Sequence, residues 1–233
     1  MIKAILFDMD GVLYDSMPSH AQAWYETMSA AGINAPAAEY YLYEGRTGRS
    51  TIEMLFNRDL GRAATEEEIK RLYTQKSKRF EALEYPESKP MPGAWEVLEK
   101  VKALGLQRII VTGSGQKTLF DKIEQYYPGF FNRELMVTAF DVTKGKPDPE
   151  PYLMGLKKGN VRADEALVIE NAPLGIESGK AAGIFTIAVN TGPLPDKLLW
   201  ESGADAVYPS MLALAENIEA LIRNSITFPK IRT

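Results

Sequence analysis

The sequence predicts an α/β protein: a Rossmann-like, doubly wound parallel sheet with an α-helical cap domain inserted after the first strand. Three observations predict it. The apolar run at 2–7, Ile-Lys-Ala-Ile-Leu-Phe, has the character of a buried parallel strand. From about Pro18 to Glu84 the hydrophobic pattern is helical. Beyond residue 93, strand-like and helix-like segments alternate, as a parallel sheet with helical crossovers requires. The expected division is 1–15 and 90–233 for the core and 16–89 for the cap.

In the cap, Ala21, Trp24, Tyr25 and Met28 recur at helical spacing before Gly32 ends the segment. Ser50 with Glu53 reads as a capping-box start, and Gly61 closes that helix. Thr65 with Glu68 is a second capping box, leading into Ile69, Leu72, Tyr73, Phe80 and Leu83. Pro86, Pro90 and Pro92 mark a linker. In the core, strands are expected at 108–112, 134–138, 166–170, 184–189 and 204–208. Helices are expected at about 93–104, 116–126, 150–158, 173–182 and 196–202. The segments 15–18 and 85–92, where the chain enters and leaves the cap, are expected to act as hinges.

Composition narrows the function classes. At ~150 residues per domain, 233 residues allow one large domain, or a core with a smaller insertion. The chain is 45% hydrophobic and 25% charged, which are ordinary globular values. Its 27 basic and 31 acidic residues leave a net charge of −4, not the footprint of a nucleic-acid or anionic-membrane binder. There is no cysteine, which excludes disulfides, thiolate metal sites and cysteine nucleophiles. A single histidine, His20, argues against a His-rich zinc site or a Ser-His-Asp triad. No apolar stretch approaches the ~20 residues of a membrane span, and the N-terminus starts with a strand rather than a signal segment. A cytoplasmic, monomeric protein is expected, with no nucleic-acid or membrane partner.

Chemistry begins where the first strand ends. Asp8 and Asp10 are i and i+2, so in extended chain they share a face ~6–7 Å apart. They lie at the carboxyl end of a strand, where open α/β sheets bind ligands. Two acids crowded there need a cation or a shared proton to relieve their repulsion. Gly11 then permits a tight turn. A bare Asp-x-Asp could equally be an acidic turn. The longer string Asp8-Met9-Asp10-Gly11-Val12-Leu13-Tyr14-Asp15-Ser16 is more specific.

That string resembles the first motif of the haloacid dehalogenase-like (HAD) phosphatases, and the helical insertion resembles their C1-capped, β-phosphoglucomutase-like branch. The resemblance implies that Asp8 is a nucleophile forming an aspartyl-phosphate, and that Asp10 protonates the leaving group and then activates water. It also implies Mg²⁺, which would screen the charge on the phosphate. Three later segments continue the pattern. Thr112-Gly113-Ser114-Gly115 resembles the phosphate-holding second motif, with Thr112 and Ser114 as its contacts. Lys144-Gly145-Lys146-Pro147-Asp148-Pro149 resembles the third, with Lys146 favoured over Lys144 by its Pro context. Glu170-Asn171-Ala172-Pro173-Leu174-Gly175-Ile176 resembles the acidic metal loop, with Asn171 in place of the usual second acid. An asparagine carbonyl can ligate Mg²⁺, although Asn171 would also serve as a helix N-cap.

In the cap, Glu44-Gly45-Arg46-Thr47-Gly48 matches the family's specificity loop, though by itself it would read as a helix–helix connection. Lys76 stands where related enzymes greet the substrate, or on the surface. His20 resembles a mutase histidine that helps proton transfer, or packs against Trp24. Trp24, Tyr25 and Phe80 are assigned to cap packing. The pairs Glu-Gly-Arg-Thr-Gly and Glu-Asn-Ala-Pro-Leu-Gly most resemble C1-capped inorganic pyrophosphatases, so pyrophosphate is the expected substrate. A sugar-phosphate phosphatase or β-phosphoglucomutase is the alternative, and a non-catalytic phosphate-binding regulator the third reading. The expected Mg²⁺ set is Asp8, Asp10 through its backbone carbonyl, Asn171 and Glu170, with Glu44 joining as the cap closes.

Overall fold

The structure is a computed structural model that describes residues 1–84, 89–115 and 119–224. The first apolar run forms β1 (Ala4–Phe7), buried throughout. It lies inside a five-stranded sheet with β2 (Gln107–Ile110), β3 (Ala166–Glu170), β4 (Phe185–Val189) and β5 (Ala206–Tyr208), in the order β2-β1-β3-β4-β5. Every pairing is parallel. β1 shows why its residues are apolar on both faces: side chains alternate across a strand, and both sides of this sheet are covered. Ile5 and Phe7 enter one cluster with Val97, Leu98, Ile123, Leu214 and Ile218. Ala4 and Leu6 enter the opposite cluster with Ile109, Val111, Tyr152, Leu156 and Val168.

The helices supplying those layers are α4 (Ala94–Ala103), α5 (Leu119–Tyr126), α6 (Glu150–Gly159), α7 (Pro173–Ala181), α8 (Asp196–Glu201) and α9 (Met211–Asn224). α9 was not among the expected elements, yet Met211, Leu214, Ala215, Ile218 and Leu221 are buried at helical spacing. The expected strand at 134–138 is replaced by a 3₁₀ turn, Arg133–Leu135, and one isolated bridge between Val111 and Val137. Side chains at both ends capture the backbone donors. Asn132 accepts from the Glu134 N–H at 3.0 Å, and Asp141 accepts from the Thr138 N–H at 2.8 Å. The start of the expected helix at 116–126 lies outside the described residues.

The cap comprises α1 (Met17–Ser29), a 3₁₀ segment (Ala37–Tyr43), α2 (Gly48–Leu60) and α3 (Glu66–Glu84). Its apolar cluster, built on Met28, Ile33, Tyr40, Ile52, Leu55 and Leu72, shares no residue with the clusters flanking the sheet. The capping box before α3 is present: Thr65 Oγ1 accepts from the Glu68 N–H at 3.2 Å and Glu68 from the Thr65 N–H at 2.9 Å. Gly61 ends α2 with φ +62°. The start of α2 differs from expectation. Its N-cap is Thr47, whose Oγ1 accepts from the Ser50 N–H at 3.3 Å, so the helix begins three residues earlier, and Gly48 lets its first turn pack on Tyr73, whose ring a Cβ would meet at 2.2 Å. The linker at 85–88 lies outside the described residues. No helix among the described residues is long and apolar enough to cross a membrane.

Because Thr47 is the cap, Thr47→Ala is expected to cost about 0.5–2 kcal/mol in urea denaturation. Ser50→Ala, which removes no helix cap, is expected to cost less. The reverse order would return the helix start to Ser50.

Candidate active site

Strand register gathers the candidate residues at one sheet edge. Phe7 is aligned with Ile110 on one side and Ile169 on the other. The next residues along the three strands are Asp8, Val111 and Glu170, at the carboxyl ends where α/β sheets hold ligands. Gly11, at φ +80°, turns the chain back, and a Cβ there would lie 2.0 Å from Asn171 Nδ2. Only glycine allows the Asp8–Asp10 loop to approach the metal-loop strand so closely.

Lys146 reaches this edge from the loop before α6, with its side chain 1% exposed. Its Nζ donates to Asp8 Oδ1 at 2.5 Å, Glu170 Oε1 at 2.6 Å and the Val111 carbonyl at 3.0 Å, which occupies all three of its protons. Burial alone would pull this ammonium down, but Asp8 and Glu170 outweigh it and hold Lys146 above the usual lysine range. Lys144 lies on the surface, 3.5 Å from Asp148. Glu170 is fully engaged: Tyr152 Oη donates to it at 2.6 Å and the Asn171 N–H at 3.1 Å. A Cβ on Gly175 would fall 2.0 Å from its carboxyl group, so the glycine of Pro-Leu-Gly-Ile makes room for it. In this structure Glu170 faces the Lys146 ammonium, an arrangement the metal-loop resemblance did not suggest. Tyr152 carried no sequence signal, since its ring looks like any core residue of α6.

Asp10 accepts from Ser16 Oγ at 2.5 Å and lies 3.3 Å from His20 Nε2. His20 Nδ1 is 2.6 Å from Lys76 Nζ. A lysine ammonium can only donate, so Nδ1 is the acceptor and the ring proton sits on Nε2, toward Asp10. Burial would raise the Asp10 carboxyl, but His20 and Ser16 hold it down at about 2. Burial, with the Lys76 charge, keeps His20 below the ordinary histidine value. The imidazole stacks on Phe80 at 3.9 Å, while Trp24 stacks on Tyr40. Lys76 is buried at 6% exposure, its Nζ 5.2 Å from the Trp24 ring centroid and 5.0 Å from that of Phe80.

The cap loop enters the same site. Both Glu44 carboxylate oxygens accept from Asn171 Nδ2 at 3.1 Å. Glycines form the seat for this loop. A Cβ on Gly45, at φ +88°, would meet Lys146 Cδ at 2.9 Å; one on Gly113 would meet the Gly45 carbonyl at 2.9 Å; one on Gly145 would meet Thr47 Cγ2 at 2.8 Å. The cavity left between cap and core is about 80 Å³. Asp8, Asp10, His20, Glu44, Lys76, Thr112 and Ser114 all line it, as does Arg46. Thr112 is buried, and its Oγ1 accepts from the Ser114 N–H at 3.1 Å, which leaves its hydroxyl proton to donate.

The residues fit a hard divalent cation. Asn171 Oδ1 is buried and has no hydrogen-bond partner. Burial pushes the Asp8 carboxyl up against the pull of Lys146, and burial together with Asp8 pushes Glu44 up, so both gain from a cation placed between them. No group of three or more His, Cys, Asp or Glu side chains among the described residues makes a metal cluster. The donor set here is mixed, with an amide oxygen and carboxylates, which suits a cation that keeps several of its waters.

Gly45→Ala combines a strained φ with a clash on Lys146, so it is expected to hold the cap loop off the core. Turnover at this site should fall at least tenfold, about 1.4 kcal/mol in barrier, while the thermal unfolding midpoint changes little. Unchanged activity would show that the loop seat is dispensable.

Comparison with known proteins agrees with this arrangement. The haloacid dehalogenase-like hydrolase family matches residues 2–183. Hexitol phosphatase A of Escherichia coli is 31% identical over 188 residues, covering 81% of this chain and 83% of that protein. A phosphorylated carbohydrates phosphatase of Thermotoga maritima is 30% identical over 212 residues, covering 88% and 94%. A solved structure from Bacteroides vulgatus, provisionally named a beta-phosphoglucomutase, has 52% identity and a TM-score of 0.92 over 97% of this chain and 91% of its own. These relatives are named for carbohydrate chemistry, and the expected similarity to inorganic pyrophosphatases finds no support in them. The chain belongs to the haloacid dehalogenase-like hydrolase family, among β-phosphoglucomutase-like neighbours.

Proposed function

We propose that this chain is a Mg²⁺-dependent phosphohydrolase of small phosphorylated carbohydrates that works through a phosphoaspartate on Asp8. The observation carrying this reading is Asp8, which lines the cavity together with Asp10 and is held from behind by the buried Lys146 ammonium at 2.5 Å. The carbohydrate substrate class is supported by the relatives' names, a hexitol phosphatase and a phosphatase of phosphorylated carbohydrates.

Mg²⁺, held by Asp8, Asn171 and the Asp10 carbonyl, would neutralise phosphoryl charge. An Asp8 oxygen forms a bond to phosphorus as the bond to the leaving oxygen breaks, Thr112 and Ser114 hold the phosphoryl oxygens, and the Lys146 charge stands behind Asp8. Asp10 gives its proton to the leaving oxygen. It then takes a proton from the water that attacks phosphorus, which releases phosphate and restores Asp8. In the free chain Asp10 is ionised; a phosphoryl dianion arriving beside it raises its proton affinity, so substrate binding favours the acid form. His20, oriented by Lys76, keeps the Asp10 carboxyl aimed into the cavity.

Inorganic pyrophosphate is a second reading, favoured by one observation. Glu44 descends to Asn171, and the roughly 80 Å³ that remain suit a compact leaving group. Under that reading Glu44 joins the metal on closure. Glu44→Asp should then raise activity on sugar phosphates relative to pyrophosphate, and an unchanged ranking would remove it.

Asp8→Asn is expected to abolish turnover while the protein stays folded, and chelation of Mg²⁺ to do the same reversibly. Asp10→Asn should lose about 10²–10⁴-fold. Assays of purified protein on hexitol phosphates, aldose phosphates and pyrophosphate check the class. Wild-type turnover by Asp8→Asn would overturn the phosphoaspartate.

A further inference from the structure

The segment after β4, Asn190-Thr191-Gly192-Pro193-Leu194-Pro195, belongs to none of the motifs above, yet it touches the turn that carries Asp8 and Asp10. Thr191 Oγ1 donates to the Gly11 carbonyl at 2.6 Å, across 180 residues of chain. The loop presenting this hydroxyl is stiff. The Asn190 N–H donates to the Tyr208 carbonyl of β5 at 2.8 Å. Asn190 Nδ2 donates to the Leu194 carbonyl at 2.9 Å and to Asp196 Oδ1 at 2.5 Å. The Thr191 N–H donates to the Val189 carbonyl at 3.0 Å, and Pro193 and Pro195 fix two further φ angles.

Gly11 is where that hydroxyl matters. A Cβ there would fall 2.0 Å from Asn171 Nδ2 and 2.7 Å from Asn171 Cγ, so the Asn171 amide fills the space a side chain would take. The freedom that lets the turn come this close also leaves glycine with little backbone preference of its own, so the turn needs an outside anchor. Its N–H is used inside the turn, on the Tyr14 carbonyl at 2.7 Å, and its carbonyl takes the Thr191 hydroxyl.

Two of the groups assigned above to Mg²⁺ meet at this glycine. The Asp10 carbonyl belongs to the peptide that enters Gly11, and the Asn171 amide packs on its α-carbon. Asn171 Oδ1 is buried without a partner, while Nδ2 is taken by Glu44 of the cap. Mg²⁺ demands near-ideal octahedral geometry, so a small shift of either oxygen is costly. A neutral amide also lacks the charge by which a carboxylate would tolerate such a shift.

We infer that Thr191 is a positioning residue for the metal site: through Gly11, its hydroxyl fixes the Asp10 carbonyl and the Asn171 amide oxygen where Mg²⁺ takes them. This rests on the Mg²⁺ reading above.

The test follows Mg²⁺ binding to the full chain without substrate, as the rise in unfolding temperature across a Mg²⁺ titration at constant ionic strength. Thr191→Val, which keeps the shape and removes the hydroxyl, should weaken Mg²⁺ by about tenfold or more, and Thr191→Ala should do the same. Thr191→Ser, which keeps the hydroxyl, should retain the wild-type affinity. In steady state, Thr191→Val should need correspondingly more Mg²⁺ for half-maximal turnover, with kcat recovered at saturating Mg²⁺. Wild-type Mg²⁺ affinity in Thr191→Val or Thr191→Ala overturns the inference, and so does a Thr191→Ser variant as weak as Thr191→Val. A lower kcat with unchanged Mg²⁺ dependence would make Thr191 a purely structural residue, and overturns it as well. Failure of the underlying reading looks different: a wild type that shows no Mg²⁺ response and turns over in chelator overturns the Mg²⁺ assignment and this inference together.

Discussion

A lysine ammonium with 1% side-chain exposure must have its charge and all three protons answered, and the architecture is arranged around that requirement. Lys146 is 138 residues from Asp8 in sequence, yet its Nζ is held between the ends of three adjacent strands: Asp8 after β1, the Val111 carbonyl after β2, and Glu170 at the end of β3. Removing one partner of a buried ion pair typically costs about 3–5 kcal/mol, so these positions depend on one another. Tyr152, Gly175 and the Asn171 N–H form a second ring that satisfies Glu170. The same contacts that hold the strand ends together leave Asp8 facing the cavity with a fixed cation behind it. Structural and chemical demands therefore fall on one ammonium group.

The cap answers a different requirement, covering the cavity at the carboxyl ends of the strands, which the proposed chemistry needs shielded from water. It has its own apolar cluster and meets the core through glycine-lined backbone contacts at Gly45, Gly113 and Gly145. Because those contacts lack side chains, Glu44 reaches Asn171 and Arg46 lines the cavity. Polar groups from the cap thus face the candidate site residues of the core: His20 and Lys76 toward Asp10, Glu44 toward Asn171. The cap completes an electrostatic environment that the core begins, which is how small changes in one loop can alter the substrate range of this fold.

Much of this was legible in the sequence. β1 is apolar on both faces because it is buried on both, and Asp8 and Asp10 follow it directly. The Thr65–Glu68 box and Gly61 obeyed local rules and were found where those rules put them. Local rules failed where a side chain outside the element intervened. Asn132 and Asp141 took the backbone donors of the expected strand at 134–138, and Thr47 displaced Ser50 as the cap of α2. The resemblance offered Glu170 as a metal ligand; that it receives the Lys146 ammonium, 24 residues away, is a pairing sequence spacing does not reveal. Tyr152 was missed for the same reason: it looks like core until the fold closes around it. Substrate preference was the least legible feature: the core motifs concern the phosphoryl group, and the pyrophosphate expected from the cap loop is not supported by the relatives' names.

The central claim is that Asp8, with Lys146 behind it, becomes covalently phosphorylated. Its most direct test is a single turnover quenched in acid, followed by mass analysis of the peptide spanning residues 3–16. The account predicts that this peptide gains the mass of one phosphoryl group, located on Asp8, and that the adduct rises and decays within one catalytic cycle. Turnover that proceeds with no adduct on that peptide at any quench time would contradict it.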